Sequence, residues 1–232
     1  MNTRRPSSSD TRWTIPEVYR RLRALRGDLH WWPGETPFEV AVGALLTQNT
    51  AWTHVERAIE ALKAASLLSP EALASVPEPE LAEVLRPVGY FRVKARRLKA
   101  LVDFLIRCCD GDPRRLARWP VLEARQRLLE VHGVGRETAD SILLYGAGLP
   151  IFVIDAYTRR IFGRLALLDP NRDYDVLRQA FEDALPRDVA LWNDYHAQVV
   201  IHGKEVCRPR PRCGECVLAS RCPGSPQTGS GR

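Results

Sequence analysis

Four cysteines lie close together near the C-terminus, and their spacing is the strongest chemical pattern in the chain. Cys207, Cys213, Cys216 and Cys222 follow the pattern C-x5-C-x2-C-x5-C. In a reducing compartment such a cluster indicates metal ligation rather than disulfides. Four thiolates suit either a zinc ion or a [4Fe–4S] cluster. Zinc modules usually carry two short cysteine or histidine pairs, and this tail has a single C-x-x-C, so the spacing favours iron–sulfur and leaves zinc as the alternative.

The gap between the first two cysteines is strongly basic. Arg208, Arg210 and Arg212 alternate with Pro209 and Pro211, which hold the three cations apart. A solvated loop explains this composition. Stiffly spaced arginines beside a metal site also suit contacts with backbone phosphates, so these three residues are candidate DNA contacts.

A second chemical pattern is a glycine hairpin in the segment LLEVHGVGRETAD. Here Gly133, Val134 and Gly135 join the apolar end of one helix to the start of the next, which carries Arg136. Two glycines around an apolar residue permit a tight turn with exposed backbone N–H groups, and such groups at a helix start predict a phosphate site. An ordinary helix corner with a glycine cap would use the same residues.

Asp155 ends the apolar run IFVID directly before a helix that carries Thr158, Arg159 and Arg160. Aspartate is favoured at the first position before a helix, so a capping role explains its place. A carboxylate there can also face a cleft, where it would stabilise positive charge developing on a deoxyribose or activate a water molecule. The two roles are compatible.

The elements that must position these residues are almost all helical. Apolar residues recur at three- and four-residue spacing from Val18 to His202, and Pro, Gly and Asp-Pro breaks separate the periodic segments. Ile151–Ile154 alone is short and β-branched enough to suggest extended chain. The sequence therefore predicts an all-α fold, with disordered tails at residues 1–12 and 223–232, where small and polar residues dominate.

The composition is that of a globular protein with a moderate excess of positive charge. The chain of 232 residues has 34 Lys and Arg against 28 Asp and Glu, for a net charge of +6. This excess favours a polyanionic partner. No apolar run approaches the length of a membrane span, and the N-terminus has no signal-peptide pattern. A cytoplasmic protein, associated with the nucleoid if bacterial, is expected.

Together these motifs resemble a known family. LLEVHGVGRETAD followed by VIDAYTRRI is similar to the helix-hairpin-helix and Gly/Pro-Asp signature of the endonuclease III superfamily of DNA glycosylases, over about residues 14–222. The resemblance identifies Asp155 as the catalytic aspartate and the four-cysteine tail as the ligands of a [4Fe–4S] cluster. In one departure, the first cysteine gap holds five residues, where the family commonly has six.

The resemblance also implies an architecture and a partner. Two helical domains would flank a DNA-binding cleft. Residues 34–149 would form a six-helix domain with its hairpin at 121–146, and residues 13–33 with 150–222 would form the cluster domain. The expected partner is double-stranded DNA containing damaged bases, bound by a monomer.

Glu137 bears on the type of reaction. Bifunctional members of the family have at this point of the hairpin a lysine, which attacks the sugar and forms a Schiff base. A glutamate cannot form an imine, because only an amine does so. The chain is therefore expected to be a monofunctional glycosylase without lyase activity. The remaining amines, Lys94 and Lys204, are interpreted as phosphate contacts or solvated charge.

Aromatic residues near the N-terminus bear on the substrate. Trp31-Trp32-Pro33 precedes the segment LLTQNT, and Trp52 follows it. These residues resemble the 3-methyladenine glycosylase branch, in which two aromatic side chains sandwich the flipped base. The match makes Trp31 and Trp52 the sandwich, with Trp32, Pro33 and Glu137 lining the pocket. Core packing is the simpler explanation for any single tryptophan.

Further residues would hold the distorted duplex. Gln48 matches the family residue that fills the gap left by the flipped nucleotide. In the GYFRVKAR turn, Tyr90 or Phe91 would be the opposite wedge, and Arg92 and Lys94 would hold phosphates.

Two other functions stay open. One is an endonuclease III-like glycosylase for oxidised pyrimidines or for mismatched thymine or uracil. The other is a non-catalytic DNA-binding homologue that kept the hairpin and the cluster but lost the chemistry.

Overall fold

The structure, a computed structural model, describes residues 12–29 and 34–226. Within these ranges the chain is helical and contains no β-strand, which confirms the predicted all-α fold. Ile151–Ile154, predicted to be extended, is an irregular connection that joins no sheet. None of the described helices is long and apolar enough to cross a membrane. Most of the two predicted disordered tails lies outside the described residues.

The described α-helices are, in chain order, α1 (Ile15–Arg26), α2 (Pro37–Leu46), α3 (Trp52–Ala64), α4 (Pro70–Ser75), α5 (Glu78–Val84), α6 (Phe91–Cys109), α7 (Val121–Leu129), α8 (Arg136–Ser141), α9 (Ala156–Arg164), α10 (Tyr174–Ala184) and α11 (Val189–Glu205). Of the described residues, 34–153 form one compact unit, and 12–29 with 154–226 form another.

The unit of residues 34–153 is organised around α6. Helices α2, α4 and α5 pack against α6, whose apolar stripe includes the fully buried Leu98, Leu101 and Leu105. Such a stripe at helical spacing excludes water from one face of the helix, and its burial stabilises the unit. Helix α8 continues into a π-helical turn, Ile142–Gly146, which packs on α2.

A buried ion pair joins the two helices of the hairpin. Arg125 on α7 donates from Nε to Oδ1 of Asp140 on α8 at 2.6 Å and from Nη2 to Oδ2 at 3.2 Å. Asp140 is fully buried and Arg125 is 8% exposed. A buried charge needs a partner of this kind, since an unpaired one costs several kcal/mol. The pair therefore fixes α7 and α8 at the base of the hairpin turn.

The other unit has an aromatic core. Phe162 of α9 and Phe181 of α10 pack edge to face with ring centroids 4.6 Å apart, and Tyr195 of α11 lies 6.0 Å from Phe181. Helices α1 and α9 both pack on α11, and the cysteine segment begins directly after α11. This core holds the start of α9 and the first cysteine on the same framework.

The C-terminal boundary of this unit differs from the predicted one. The predicted tail began at residue 223, but Gly224 N donates to Arg164 O at 3.1 Å and Ser225 is buried. These contacts tie the residues after Cys222 to the end of α9. The cluster segment therefore extends past its last cysteine, to at least Ser225.

Candidate functional site

The hairpin turn lies between α7 and α8. Gly133 has a φ of +85°, the left-handed region that favours glycine, and Val134 N donates back to Val131 O at 3.0 Å. Val134 is buried, so it anchors the turn, while Gly135 and Arg136 are exposed at the start of α8. Gly135 precedes α8 and has no side chain with which to cap the backbone N–H groups of this first turn. The turn therefore has the form of the predicted phosphate site.

Gln48 braces this turn from inside the same unit. Its Nε2 donates to Gly133 O at 2.9 Å and to Thr138 Oγ1 at 3.0 Å, and its Oε1 accepts from Arg97 Nη1 at 2.7 Å. The sequence assigned Gln48 to entry into the duplex, which would require these three hydrogen bonds to break. In the structure its amide supports the hairpin, and its entry into the duplex stays a prediction. Arg97, to which no sequence motif points, completes the brace.

We expect Gly133→Ala to weaken binding to a DNA duplex about tenfold, with a smaller effect of Gly135→Ala. A Cβ at Gly133 would overlap the side-chain stem of Arg97, and a left-handed φ costs an alanine roughly 1 kcal/mol or more. Gly135 has no such φ, and its Cβ would meet nothing within 4 Å. Fluorescence anisotropy with a labelled duplex measures both affinities, and thermal melting checks the fold. Equal losses in the two variants would contradict this account.

Lys94 is buried and does not reach solvent, so its assignment to phosphate contact was wrong. It is 2% exposed, and its Nζ donates to Leu46 O at 2.8 Å, to Val88 O at 3.0 Å and to the Thr50 hydroxyl. Burial, with a contribution from the charge of Arg97, lowers the pKa of Lys94 to about 8. Lys94 holds the start of α6 to the end of α2.

The turn before α6 presents one exposed aromatic residue. Tyr90 is 79% exposed and has a φ of +45°. Phe91 is half-buried, and its ring centroid lies 5.2 Å from Cζ of Arg86 and 5.9 Å from Cζ of Arg92. Of the two predicted wedge residues, Tyr90 is therefore the one available to a partner. Arg92 is exposed, as a phosphate contact requires.

The predicted base pocket is described only in part. Trp31, Trp32 and Pro33 lie outside the described residues, so the aromatic sandwich stays a prediction. Trp52 is half-buried at the start of α3, and its indole Nε1 donates to Glu56 Oε1 at 2.6 Å. Glu137 is exposed in the first turn of α8.

Asp155 caps α9, as one of its two sequence interpretations predicted. Its Oδ1 accepts from the backbone N of Thr158 at 2.7 Å and from the Thr158 hydroxyl at 2.8 Å. Its Oδ2 lies 3.6 Å from Nε2 of His196 on α11. Burial by itself would raise the pKa of Asp155, but His196 and the Thr158 donors outweigh it, and the pKa is lowered. The carboxylate, 8% exposed, is therefore ionised at neutral pH.

The four cysteine thiols lie on a segment held by polar contacts. Arg164 Nη1 donates to Cys207 Sγ at 3.3 Å, and Cys216 Sγ lies 3.5 Å from His202 Nε2. Burial raises the pKa of Cys216 and of Cys222, and charge on the other cysteines of the tail raises both further, while backbone N–H groups of Leu218 and Gly224 oppose these effects. Charge on one thiol of the tail thus disfavours charge on the others.

These contacts suit a shared group that binds thiolates. Such a group stabilises the charged sulfurs that burial and mutual repulsion disfavour, and N–H groups directed at sulfur are the usual surroundings of cluster ligands. In the part of the chain that the structure describes, no three His, Cys, Asp or Glu side chains are grouped closely enough for a single metal ion.

Hydrogen bonds to its backbone hold the basic loop between Cys207 and Cys213 in place. Arg164 donates to Arg208 O at 2.6 Å and to Pro209 O at 2.9 Å, and Arg212 N donates to Val206 O at 3.0 Å. The side chains of Arg208, Arg210 and Arg212 are exposed. The backbone is thereby held in place while the three cations face solvent.

Comparison with known proteins gives one family. Residues 42–187 match the model of the HhH-GPD superfamily of base excision DNA repair proteins. A candidate DNA repair glycosylase of Methanocaldococcus jannaschii is 42% identical, over 90% of this chain and 95% of that protein. Endonuclease III of Thermotoga maritima is 29% identical over 80% of this chain and 82% of its own length.

Solved structures show the same fold. An endonuclease III in a non-covalent DNA complex has a TM-score of 0.79 at 22% identity, covering 94% of this chain and 99% of that one. A 3-methyladenine DNA glycosylase of H. pylori, bound to 1,N6-ethenoadenine, has a TM-score of 0.74 at 26% identity, covering 83% and 98%.

Proposed function

The chain belongs to the HhH-GPD superfamily of base excision DNA repair proteins, and from this premise we propose that it is a monofunctional DNA glycosylase for alkylated bases such as 3-methyladenine. The observation that carries the proposal is the ionised, buried carboxylate of Asp155, combined with a glutamate at position 137 of the hairpin. The first supplies glycosylase chemistry, and the second cannot form a Schiff base.

In the proposed reaction the N-glycosidic bond breaks with its electron pair leaving on the base. Positive charge then develops on the deoxyribose, and the Asp155 carboxylate stabilises it. Water adds its oxygen to C1′ and gives up a proton, which leaves an abasic site. An alkylated base that carries positive charge leaves as a neutral molecule, so it needs little help from a general acid.

Trp52 supports a cationic substrate. Its indole N–H donates to the Glu56 carboxylate, which makes the ring face more electron-rich. A cation over an aromatic face gains about 0.5–2 kcal/mol. An endonuclease III-like activity on oxidised or mismatched pyrimidines is the second candidate, because several relatives at 26–29% identity are named endonuclease III.

We propose that DNA contacts the protein through its exposed and backbone groups. The N–H groups of the hairpin at Gly133–Arg136 would bind one phosphate, and Arg92 and the Arg208–Arg212 loop would bind others. Tyr90 would enter the duplex. Such contacts release counterions, so affinity should fall steeply with salt.

We further propose that Cys207, Cys213, Cys216 and Cys222 hold a [4Fe–4S] cluster, with zinc as the alternative. What supports this is the sequence spacing of the four cysteines, together with the donors directed at Cys207, Cys216 and Cys222. The bound cluster would supply a structural crosslink that keeps the basic loop in place.

The substrate is tested with duplexes that each carry one alkylated, oxidised, deaminated or mismatched base. We expect release of alkylated bases and no adduct trapped by borohydride. Because the missing amine is the physical reason, Glu137→Lys should gain a trapped adduct, whereas Glu130→Lys, which adds the same charge at another exposed hairpin residue, should not. Gel electrophoresis of the trapped products measures this. An adduct with the wild-type protein would refute the monofunctional assignment.

A further inference from the structure

The two carboxylate oxygens of Asp155 have different environments. Oδ1 is held by the backbone and hydroxyl of Thr158, which are the contacts of an ordinary helix cap. Oδ2 takes no part in the cap and lies 3.6 Å from His196 Nε2. His196 is 6% exposed on the buried side of α11, against which α9 packs. Helix capping alone does not account for a buried histidine at the second oxygen.

We propose that His196 is a positioning residue that, when protonated, holds Oδ2 of Asp155 and keeps the carboxylate ionised in mildly acidic conditions. The proposal rests on the catalytic role of Asp155 proposed above. Asp155 would then cap α9 through Oδ1 and be held at Oδ2 by a residue 41 positions further along the chain.

The other polar groups near this pair are directed elsewhere. On α9, Arg160 donates to Gly203 O at 2.9 Å and to Cys207 O at 2.8 Å. Burial raises the pKa of the Tyr157 phenol, with a further contribution from Asp155, so Tyr157 stays neutral.

The remaining contacts come from α1 and from α11 itself. Tyr19 of α1 donates to Asp194 Oδ2 at 2.9 Å, and Leu29 N donates to Asp194 Oδ1 at 3.0 Å. Arg26 Nη2 lies 3.4 Å from Glu205 Oε2. Within the described residues, the ionisable group that faces Oδ2 is therefore His196.

The chemistry of histidine suits this role. An imidazole gains its proton as the pH falls through mildly acidic values, which is where a buried carboxylate would otherwise begin to be neutralised. Burial raises the pKa of a carboxyl group, and an opposite charge within about 4–6 Å lowers it by roughly one unit or more. Without His196, the pKa of Asp155 should rise, and Asp155 should become protonated, and inactive, at higher pH than in the wild type.

The test is the rate of base release in single turnover by the full chain, on the alkylated duplex from which the wild type releases the base fastest, between about pH 3.5 and pH 8. In His196→Gln and His196→Asn we expect the acid limb to move up by about one pH unit, with the rate near pH 8 within about threefold of the wild type. Gln198→Leu is the matched control. Gln198 is fully buried on the same helix and bonds Gly27 O at 2.7 Å, so its loss should lower the melting temperature without moving the acid limb.

The outcomes separate the two proposals. If the wild type releases bases but its acid limb is unchanged in both His196 variants, the role of His196 is refuted and the proposed function stands. If the wild type releases none, the proposed function fails. Should neither His196 variant fold, NMR titration of the His196 ring in the wild type and in Asp155→Asn decides. Identical curves would refute the pairing, and different curves would support it.

Discussion

Replacing Asp155 with asparagine should reduce the rate of base release by about 10²- to 10⁴-fold while leaving the fold and the affinity for DNA in place. An amide has no charge with which to stabilise a developing cation on the sugar, and it cannot accept a proton from water. The loss therefore falls on the chemical step.

The local structure should allow Asp155→Asn to keep the helix cap of α9. Asparagine is as good a helix cap as aspartate, and its side-chain oxygen can still accept from Thr158 N, where Asp155 Oδ1 accepts at 2.7 Å. The variant should thus melt close to the wild type. Single-turnover kinetics, a binding isotherm and a thermal melt measure the three quantities.

Asp188→Asn is the matched control for this experiment. Asp188 caps α11 in the same way, with Oδ1 accepting from Ala190 N at 2.8 Å, but it is exposed and has no proposed part in the reaction. Its replacement should change neither rate nor affinity. If Asp155→Asn retained the wild-type rate, the chemistry would lie elsewhere. If the parent protein released no base from any duplex, the non-catalytic alternative would be favoured.

Most helices could be predicted from the apolar periodicity and from the Pro, Gly and Asp-Pro breaks between periodic segments, because most of them present an apolar stripe bounded by a cap or a proline. Asp155 shows the limits of this reasoning. An aspartate directly before a helix fits a capping role and a catalytic role equally well in the sequence. The structure shows the capping hydrogen bonds directly. Helix α4 carries no periodic signal. Its six residues, Pro70–Ser75, are too short for a periodic pattern, and Leu73 is its one buried residue.

Lys94 was misassigned although a signal was present. It stands in a run rich in arginine, which suggested an exposed basic surface. Its spacing to Leu98, Leu101 and Leu105, however, is that of one helix face, and this face is buried. The period of the helix, rather than local charge, decides which way a lysine points.

Other parts of the site carry no local signal at all. His196 and Asp155 are 41 residues apart, and Arg125 and Asp140 are 15 apart with a turn between them. Gln48 reaches a hairpin 85 residues away. Such pairs form when helices pack against each other. The apolar faces determine this packing, but they do not reveal in the sequence which polar residues will come into contact. Sequence patterns locate reactive residues better than they locate their partners.

The second large effect concerns the cysteine tail. We expect the purified full chain to be brown, with broad visible absorption and bound iron, and Cys213→Ala to lose both. Cys213 is half-buried and lies in the short helix that follows the basic loop, so its thiolate is a ligand close to that loop. Because a ligated group contributes its binding free energy to folding, the variant should also melt at a lower temperature.

Cys108→Ala separates ligand loss from the loss of any thiol. Cys108 is also half-buried, but it lies at the end of α6, in the unit formed by residues 34–153. It should keep iron, colour and wild-type melting. Metal analysis with absorption spectroscopy decides among the outcomes. Iron lost only from Cys213→Ala supports the cluster, and a colourless protein that contains zinc would replace the cluster with the zinc alternative. Equal iron in both variants would remove Cys213 from the ligand set, since three thiolates would then suffice.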